Sequence, residues 1–178
     1  MKFPKKKYNI IYADPAWYFK SWSKKGEDKN ATKHYDCMSI HDICNLPVGN
    51  IADDNCILFI WVIDPMLPEA FKVIESWGFK YKTVAFTWVK ENKKSNSFFT
   101  GLGYWTRSNP EMCLLATKGK PKRLSRSVRQ LITTKLREHS RKPDCTRDKI
   151  IELIGDLPKI ELFARQKTKG WDVWGNEI

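Results

Sequence analysis

An α/β protein, with helices laid over the faces of a largely apolar sheet, is the fold this sequence predicts, and three observations predict it. Short apolar runs rich in β-branched and aromatic residues recur along the chain. Amphipathic stretches at helical spacing fall between them, each closed by a glycine. Several of the apolar runs lack polar alternation, as strands buried on both faces do.

The elements follow in chain order. YNIIYA (8–13) is the first strand and stops on Asp14 and Pro15. CILFIWV (56–62), TVAFTWV (83–89), EMCLLAT (111–117) and KIELFA (159–164) are the other strands. The stretch DPMLPEAFKVIESWGF (64–79) sets Leu67, Phe71 and Ile74 on one helical face and ends at Gly78. KPDCTRDKIIELIGD (142–156) opens with Pro143 and Asp144 and stops at Gly155. Trp61 and Trp88 lie inside strands and read as core. Two polar segments, 18–36 and 90–110, are long for connections in a compact domain, and such loops are commonly lids or binding loops. No internal repeat divides the chain, so 1–178 reads as one domain with a basic tail over 1–7.

Composition narrows the function. With 42% hydrophobic and 13% aromatic residues the chain supports a real core and is no disordered tail. Its 32 Lys and Arg against 20 Asp and Glu give a formal charge of +12, which calls for a polyanionic partner, nucleic acid or an anionic membrane surface. The start MKFPKKKYNI has basic residues but no apolar signal core, and no window approaches a membrane span, so a cytoplasmic protein is expected. Cys37, Cys44, Cys56, Cys113 and Cys145 are an odd set without any CxxC pair, which predicts reduced thiols with no metal site and no disulfide framework.

The run IIYADPAWYF raises the functional question, since Asp-Pro after a strand is also an ordinary turn. In an open α/β sheet ligands sit beyond the carboxyl ends of the strands, where Asp14, Pro15, Ala16 and Trp17 fall. A carboxylate beside a backbone carbonyl and a ring suits activation of a planar exocyclic amine. The lone pair of adenine's 6-amino group is delocalised into its ring. Two acceptors, the Asp14 carboxylate and the Pro15 carbonyl, favour a pyramidal nitrogen and stabilise its developing positive charge. Trp17 or Tyr18 would hold the base by stacking.

Asp-Pro-Ala-Trp resembles the Asp-Pro-Pro-Trp tetrad of the MT-A70 family of adenine methyltransferases. CILFIWV, GLGYWTRSNPEMCLLATKGKP (101–121) and HSRKPDCTRDKIIELIGDLPKIELFARQKTKGWDVWGNE (139–177) are similar to that family's segments, in the same order and from Tyr8 onward. The resemblance implies a Rossmann-like class I methyltransferase sheet, helices on both faces, a circularly permuted motif order and S-adenosylmethionine as cofactor. It implies that Asp14 touches both the target amine and the methionine end, and that Lys142 pairs with the methionine carboxylate. Arg165, Asn176 and Glu177 match positions that hold the ribose. Glu161, a charge within a strand, is a further cofactor-facing residue. Ala16 departs from the tetrad's second proline, which removes a φ lock, but the acceptor carbonyl belongs to Pro15. No Gly-rich dinucleotide loop is present, which argues against a nicotinamide cofactor. His139 is a weak general-base candidate, because the amine proton can leave after transfer.

Lys142 and Arg165 taken singly are ordinary solvated charges, and Asn176 and Glu177 lie where termini fray. Only their joint spacing relative to Asp14 turns them into ligands. Lys118, Lys120, Lys122, Arg123, Arg126, Arg129 and Arg137 concentrate charge near that site for phosphate contact. Phe98, Phe99, Tyr104 and Trp105, with Arg107, suit a displaced strand or flipped base. The compact length is similar to bacterial and phage members, which points to DNA as substrate. RNA adenine methylation, an inactive nucleic-acid-binding subunit, and a basic binding protein without cofactor are the rival readings. Family members often pair, and 101–129 is the interface candidate for a homodimer or heterodimer.

Overall fold

Seven strands form one mixed sheet in the order β5-β3-β4-β2-β1-β6-β7. They are β1 (Tyr8–Ala13), β2 (Ala52–Val62), β3 (Lys80–Glu91), β4 (Glu111–Lys118), β5 (Leu131–Lys135), β6 (Lys159–Leu162) and β7 (Asp172–Trp174). The computed structural model describes residues 2–18, 38–137, 141–176 and 178. β1 lies between β2 and β6, parallel to both. β6 and β7 are parallel, as are β3 and β5, whereas β4 is antiparallel to β2 and β3. One edge of the sheet therefore collects the carboxyl ends of six strands and the amino end of β4.

Alternation along the strands sends side chains to opposite faces and builds two cores. On one face Ile11, Ala13, Leu58 and Ile60 meet Ile43 of α1 (Ile40–Asn45) and Ala70, Val73 and Ile74 of α3 (Leu67–Ser76). The short α2 (Val48–Ile51) adds Val48 and Ile51 to that core. On the other, Ile10, Tyr12, Phe59, Trp61 and Trp88 meet Ile150 and Ile154 of α4 (Cys145–Ile154). Each fully buried Ile or Leu here contributes roughly 2 kcal/mol of transfer free energy. The indoles bring polar atoms inside and satisfy them. Trp61 Nε1 donates to Tyr12 Oη at 2.6 Å, Trp77 Nε1 to the Ile43 carbonyl at 2.9 Å and Trp88 Nε1 to Thr134 Oγ1 at 2.8 Å.

β1 has the expected bounds, Trp61 and Trp88 are core, and both expected helices end at glycines with positive φ, Gly78 and Gly155. Other boundaries are corrected. β6 stops at Leu162 rather than 164, because Phe163 takes φ 60°, where an extended strand cannot continue. β2 begins at Ala52, its polar start carried by pairing with Tyr8. The 90–110 segment is not loop throughout: β3 continues through Glu91, which bridges to Phe98. α1 opens on Ser39, whose hydroxyl accepts from the Asp42 amide, a cap the strand-centred reading passed over. Of the 18–36 loop, residues 19–36 lie outside the described residues. The basic tail is tied down, with Phe3 against Trp174 at 4.5 Å and Lys6 on Asp172 at 2.9 Å. Among the described residues no helix is long and apolar enough to cross a membrane.

Candidate active site

Asp14 follows β1 directly, and its amide donates to the Leu162 carbonyl at 3.4 Å, which fixes it between the ends of β1 and β6. The Pro15 carbonyl accepts from the Trp17 amide at 2.8 Å and keeps a second lone pair. Trp17 is buried, its Nε1 donating to the Trp61 carbonyl at 3.0 Å, so the turn after β1 is anchored to the end of β2. Around this turn lies a cavity of about 70 Å³, lined by Asp14, Pro15, Ala16, Trp17, Trp61, Val62, Ile63, Glu111, Lys142 and Arg165.

Four charges alternate from its wall inward, Asp14, Lys142 and Glu111 at the wall and Lys90 behind them. Lys142 Nζ sits 3.0 Å from Asp14 Oδ1 and 3.2 Å from Glu111 Oε2, and Lys90 Nζ sits 2.6 Å from Glu111 Oε1. The side chains of Lys142, Glu111 and Lys90 are only 8%, 11% and 13% exposed, that of Asp14 21%. Charges this deep persist because each has a partner. Glu111 Oε2 nonetheless has no hydrogen-bond partner among the described residues, the Lys142 contact being electrostatic. Burial pushes the Asp14 carboxyl above the usual range, with Lys142 pulling it back and Glu111 adding to the rise. Burial acts on Glu111 in the same sense, but Lys142 and Lys90 together hold its carboxyl below. Burial disfavours the Lys142 charge, and the two carboxylates more than offset it, so its pKa rises.

A second buried pair stands on the same sheet face. Arg147 of α4 reaches both oxygens of Glu161 on β6, Nε at 2.8 Å and Nη2 at 2.7 Å, with its guanidinium 5.8 Å from the Tyr12 ring centre. Asp144 gathers Arg137, Arg141 and Arg147 at the start of the same helix. Glu161 is absent from the cavity wall.

Of the residues singled out in the sequence, Asp14, Pro15, Ala16, Trp17, Lys142 and Arg165 come together at the cavity. Tyr18 is exposed beside it in the chain. Asn176 lies exposed just past β7, while Glu177 and His139 fall outside the described residues. Tyr104, Trp105 and Arg107 are exposed on the 92–110 loop, Trp105 at 92% and with φ 71°. Lys122, Arg123 and Arg126 are exposed on the following basic segment. The loop is rooted by Asn109, which accepts from the Lys90 amide at 2.9 Å and donates to the carbonyls of Lys90 at 2.9 Å and Phe99 at 2.5 Å.

Glu111, Lys90 and Arg147 were missed. A signal existed for the first two: β3 ends in Lys90, β4 opens with Glu111, and an antiparallel pairing brings such ends together.

The model of the MT-A70 family matches residues 8–177. The chain belongs to this family of adenine methyltransferases. Members of the MT-A70 family use S-adenosylmethionine as methyl donor. The mixed seven-stranded sheet is consistent with the MT-A70 α/β fold. The chain is 38% identical to the type II methyltransferase M.MunI of Mycoplasma sp over 194 residues, covering 99% of this chain and 80% of that protein. It is 29% identical to the N(6)-adenosine-methyltransferase MT-A70-like protein of Arabidopsis thaliana, over 96% of this chain and 24% of that one. To the human N(6)-adenosine-methyltransferase catalytic subunit METTL3 it is 27% identical, over 97% of this chain and 28% of that one. The MT-A70 match thus spans about a quarter of the two longer relatives.

Proposed function

We propose that the protein transfers a methyl group from S-adenosylmethionine to the 6-amino nitrogen of adenine in DNA. The observation that carries this reading is the placement of the Asp14 carboxylate and the Pro15 carbonyl at one cavity wall, at the carboxyl end of β1. The whole chain works as one methyltransferase domain. Its catalytic strand β1 precedes the 142–177 segment, which carries Lys142, Arg165, Asn176 and Glu177 for the cofactor, as in a permuted motif order.

The donor set fits the cofactor's charged end. The Lys142 ammonium at the wall is the cation suited to a carboxylate, and the Glu111 oxygen with no hydrogen-bond partner among the described residues suits an ammonium. Arg165, with Asn176 and Glu177, holds the ribose hydroxyls. Glu161 supports that wall through Arg147. When bound, S-adenosylmethionine supplies an electrophilic methyl on a sulfonium. Asp14 and the Pro15 carbonyl accept the two amine hydrogens, freeing the nitrogen lone pair from the ring and aligning it for direct displacement. With the N–C bond forming as the methyl–sulfur bond breaks, its electron pair left on sulfur as the neutral thioether of S-adenosylhomocysteine, positive charge would grow on the nitrogen beside Asp14. That carboxylate stabilises the charge, and its burial-raised pKa lets it take the departing proton. Trp17 and Tyr18 frame the extruded base, the exposed Tyr104 and Trp105 stack on displaced bases, and Arg107, Lys122, Arg123 and Arg126 hold phosphates.

DNA is favoured over RNA by the near-full-length match to a type II methyltransferase. The test is transfer of labelled methyl to adenine-containing duplex DNA, single-stranded DNA and RNA, run beside Asp14→Ala. The expected result is label in a DNA form, lost in the variant. Label confined to RNA would replace DNA as substrate, and full label in Asp14→Ala would remove Asp14 from catalysis. Cofactor binding without label on any nucleic acid would leave an inactive subunit.

A further inference from the structure

Lys90 does not itself line the cavity, yet its side chain is only 13% exposed and packs behind Glu111, which does. Its Nζ lies 2.6 Å from Glu111 Oε1 and 5.3 Å from the Trp88 ring centre, so the ammonium is held between a carboxylate and an indole face. Its main chain is held separately by the Asn109 side chain. The aromatic 92–110 loop is thus rooted through backbone, and the Lys90 side chain is left with the single task of meeting Glu111. Among the described residues Glu111 pairs with Lys90 and Lys142: one oxygen takes Lys90, which turns the other toward Lys142 at 3.2 Å.

We propose that Lys90 is a positioning residue for methyl transfer: by engaging one oxygen of Glu111 it aims the other at Lys142 and keeps the Lys142 ammonium centred between Glu111 and Asp14. This rests on the reading of Asp14 as the group that receives the amine. The alternation gives the reason. Asp14, Lys142, Glu111 and Lys90 sum to zero charge. Without the Lys90 cation, Glu111 draws Lys142 toward itself, and Asp14 faces an excess negative charge in a poorly solvated place. The other groups facing Asp14 do not compensate. Tyr12 on its own strand and Cys113 on β4 are held neutral by burial, Glu161 on β6 is spoken for by Arg147 of α4, and Arg165 after β6, a cation outside that four-charge row, lowers the pKa of the Asp14 carboxyl whether or not Lys90 is present.

The test compares wild type, Lys90→Met, Lys90→Arg and the double variant Lys90→Met with Glu111→Gln, which removes a cation and its anion together. Methyl transfer is followed against pH, and the Asp14 carboxyl is titrated by carbon NMR in the same proteins. Lys90→Met is expected to lose about tenfold in kcat. Its Asp14 titration and the acid limb of its rate profile are expected to move up by about one pH unit. Lys90→Arg keeps both near wild type, and the double variant returns the titration toward wild type. A Lys90→Met protein whose titration and pH profile are unmoved, however stable or unstable, would overturn the proposal, as would a double variant shifted as far as the single one. If no variant nor the wild type methylates any nucleic acid, the reading of Asp14 fails. The carboxyl titration then still decides whether Lys90 sets the state of that group.

Discussion

Two buried ion pairs stand on neighbouring strands and face the same side of the sheet, and they are built to opposite ends. Arg147 and Glu161 make a closed pair: a planar guanidinium meets both carboxylate oxygens, at 2.8 and 2.7 Å, leaving neither oxygen over. Lys142 and Asp14 make an open one. A point charge with three donors is divided between two carboxylates, and the cavity lies against it. The closed pair specifies how α4 sits on β6. The open pair keeps ionised groups ready at low solvation, where their fields act strongly on whatever enters. The strand that supplies the closed pair's acid is one hydrogen-bonded neighbour away from the strand that supplies Asp14. Function here depends on how fully a charge is paired, and both groups are buried.

The comparison is broken most directly at Asp14. Asp14→Asn keeps shape but loses the charge, and methyl transfer is expected to fall by 10²-fold or more, on the order of what one preorganised electrostatic group supplies. Single-turnover label transfer at saturating cofactor measures it. The closed pair responds in stability instead. Arg147→Met leaves Glu161 buried and unpaired, and urea unfolding should show a loss of about 3 kcal/mol, with the double variant Arg147→Met and Glu161→Gln costing less because it also removes the stranded charge.

A finer separation comes from pH. The folded-state pKa of Asp14 is raised by burial, so between the unfolded value near 3.9 and the folded one the native protein binds more protons, and stability falls as pH rises through that window. Glu111 is lowered, so below about 4.3 the unfolded chain binds more protons, and stability falls as pH drops through the folded value. Unfolding midpoints measured across the acid range should therefore have a shallower upper slope in Asp14→Asn, Glu161 keeping the rest, and a shallower lower slope in Glu111→Gln, Asp144 and Asp172 keeping the rest. The smallest effect belongs to an exposed pair. Lys6→Met removes a contact to Asp172 that is largely in water and should change stability by no more than about 0.5 kcal/mol.

What the sequence made legible divides along the same line. β1 was readable to the residue, and the central strands and both longer helices were readable in type, because an unbroken apolar run or a helical stripe ending in glycine encodes its own environment. LITTK and DVW were not, since short edge strands owe their state to the neighbour they pair with. At the site, Asp14, Lys142 and Arg165 were reached through a motif resemblance, and the cavity does bring them together. Glu161 was read as facing a cofactor, but its two oxygens are taken by Arg147, a partnership created by the packing of α4 on β6 and invisible in either segment alone. Glu111 and Lys90 announce themselves only once β3 and β4 are known to run antiparallel.

The separation of Asp14 from Lys142 in the chain, 128 residues, also orders the making of the protein. Lys90 and Glu111 belong to one hairpin and meet on closing the 92–110 loop, which costs less entropy than closing the far longer span from Asp14 to Lys142. Asp14 leaves the ribosome long before either of them, yet its cation is not translated until 128 residues later. A nascent chain therefore carries the Asp14 carboxylate without the ammonium that faces it in the folded interior. The charged edge around Asp14 is complete only after Lys142 has been made, so a product truncated before Lys142 has no such edge.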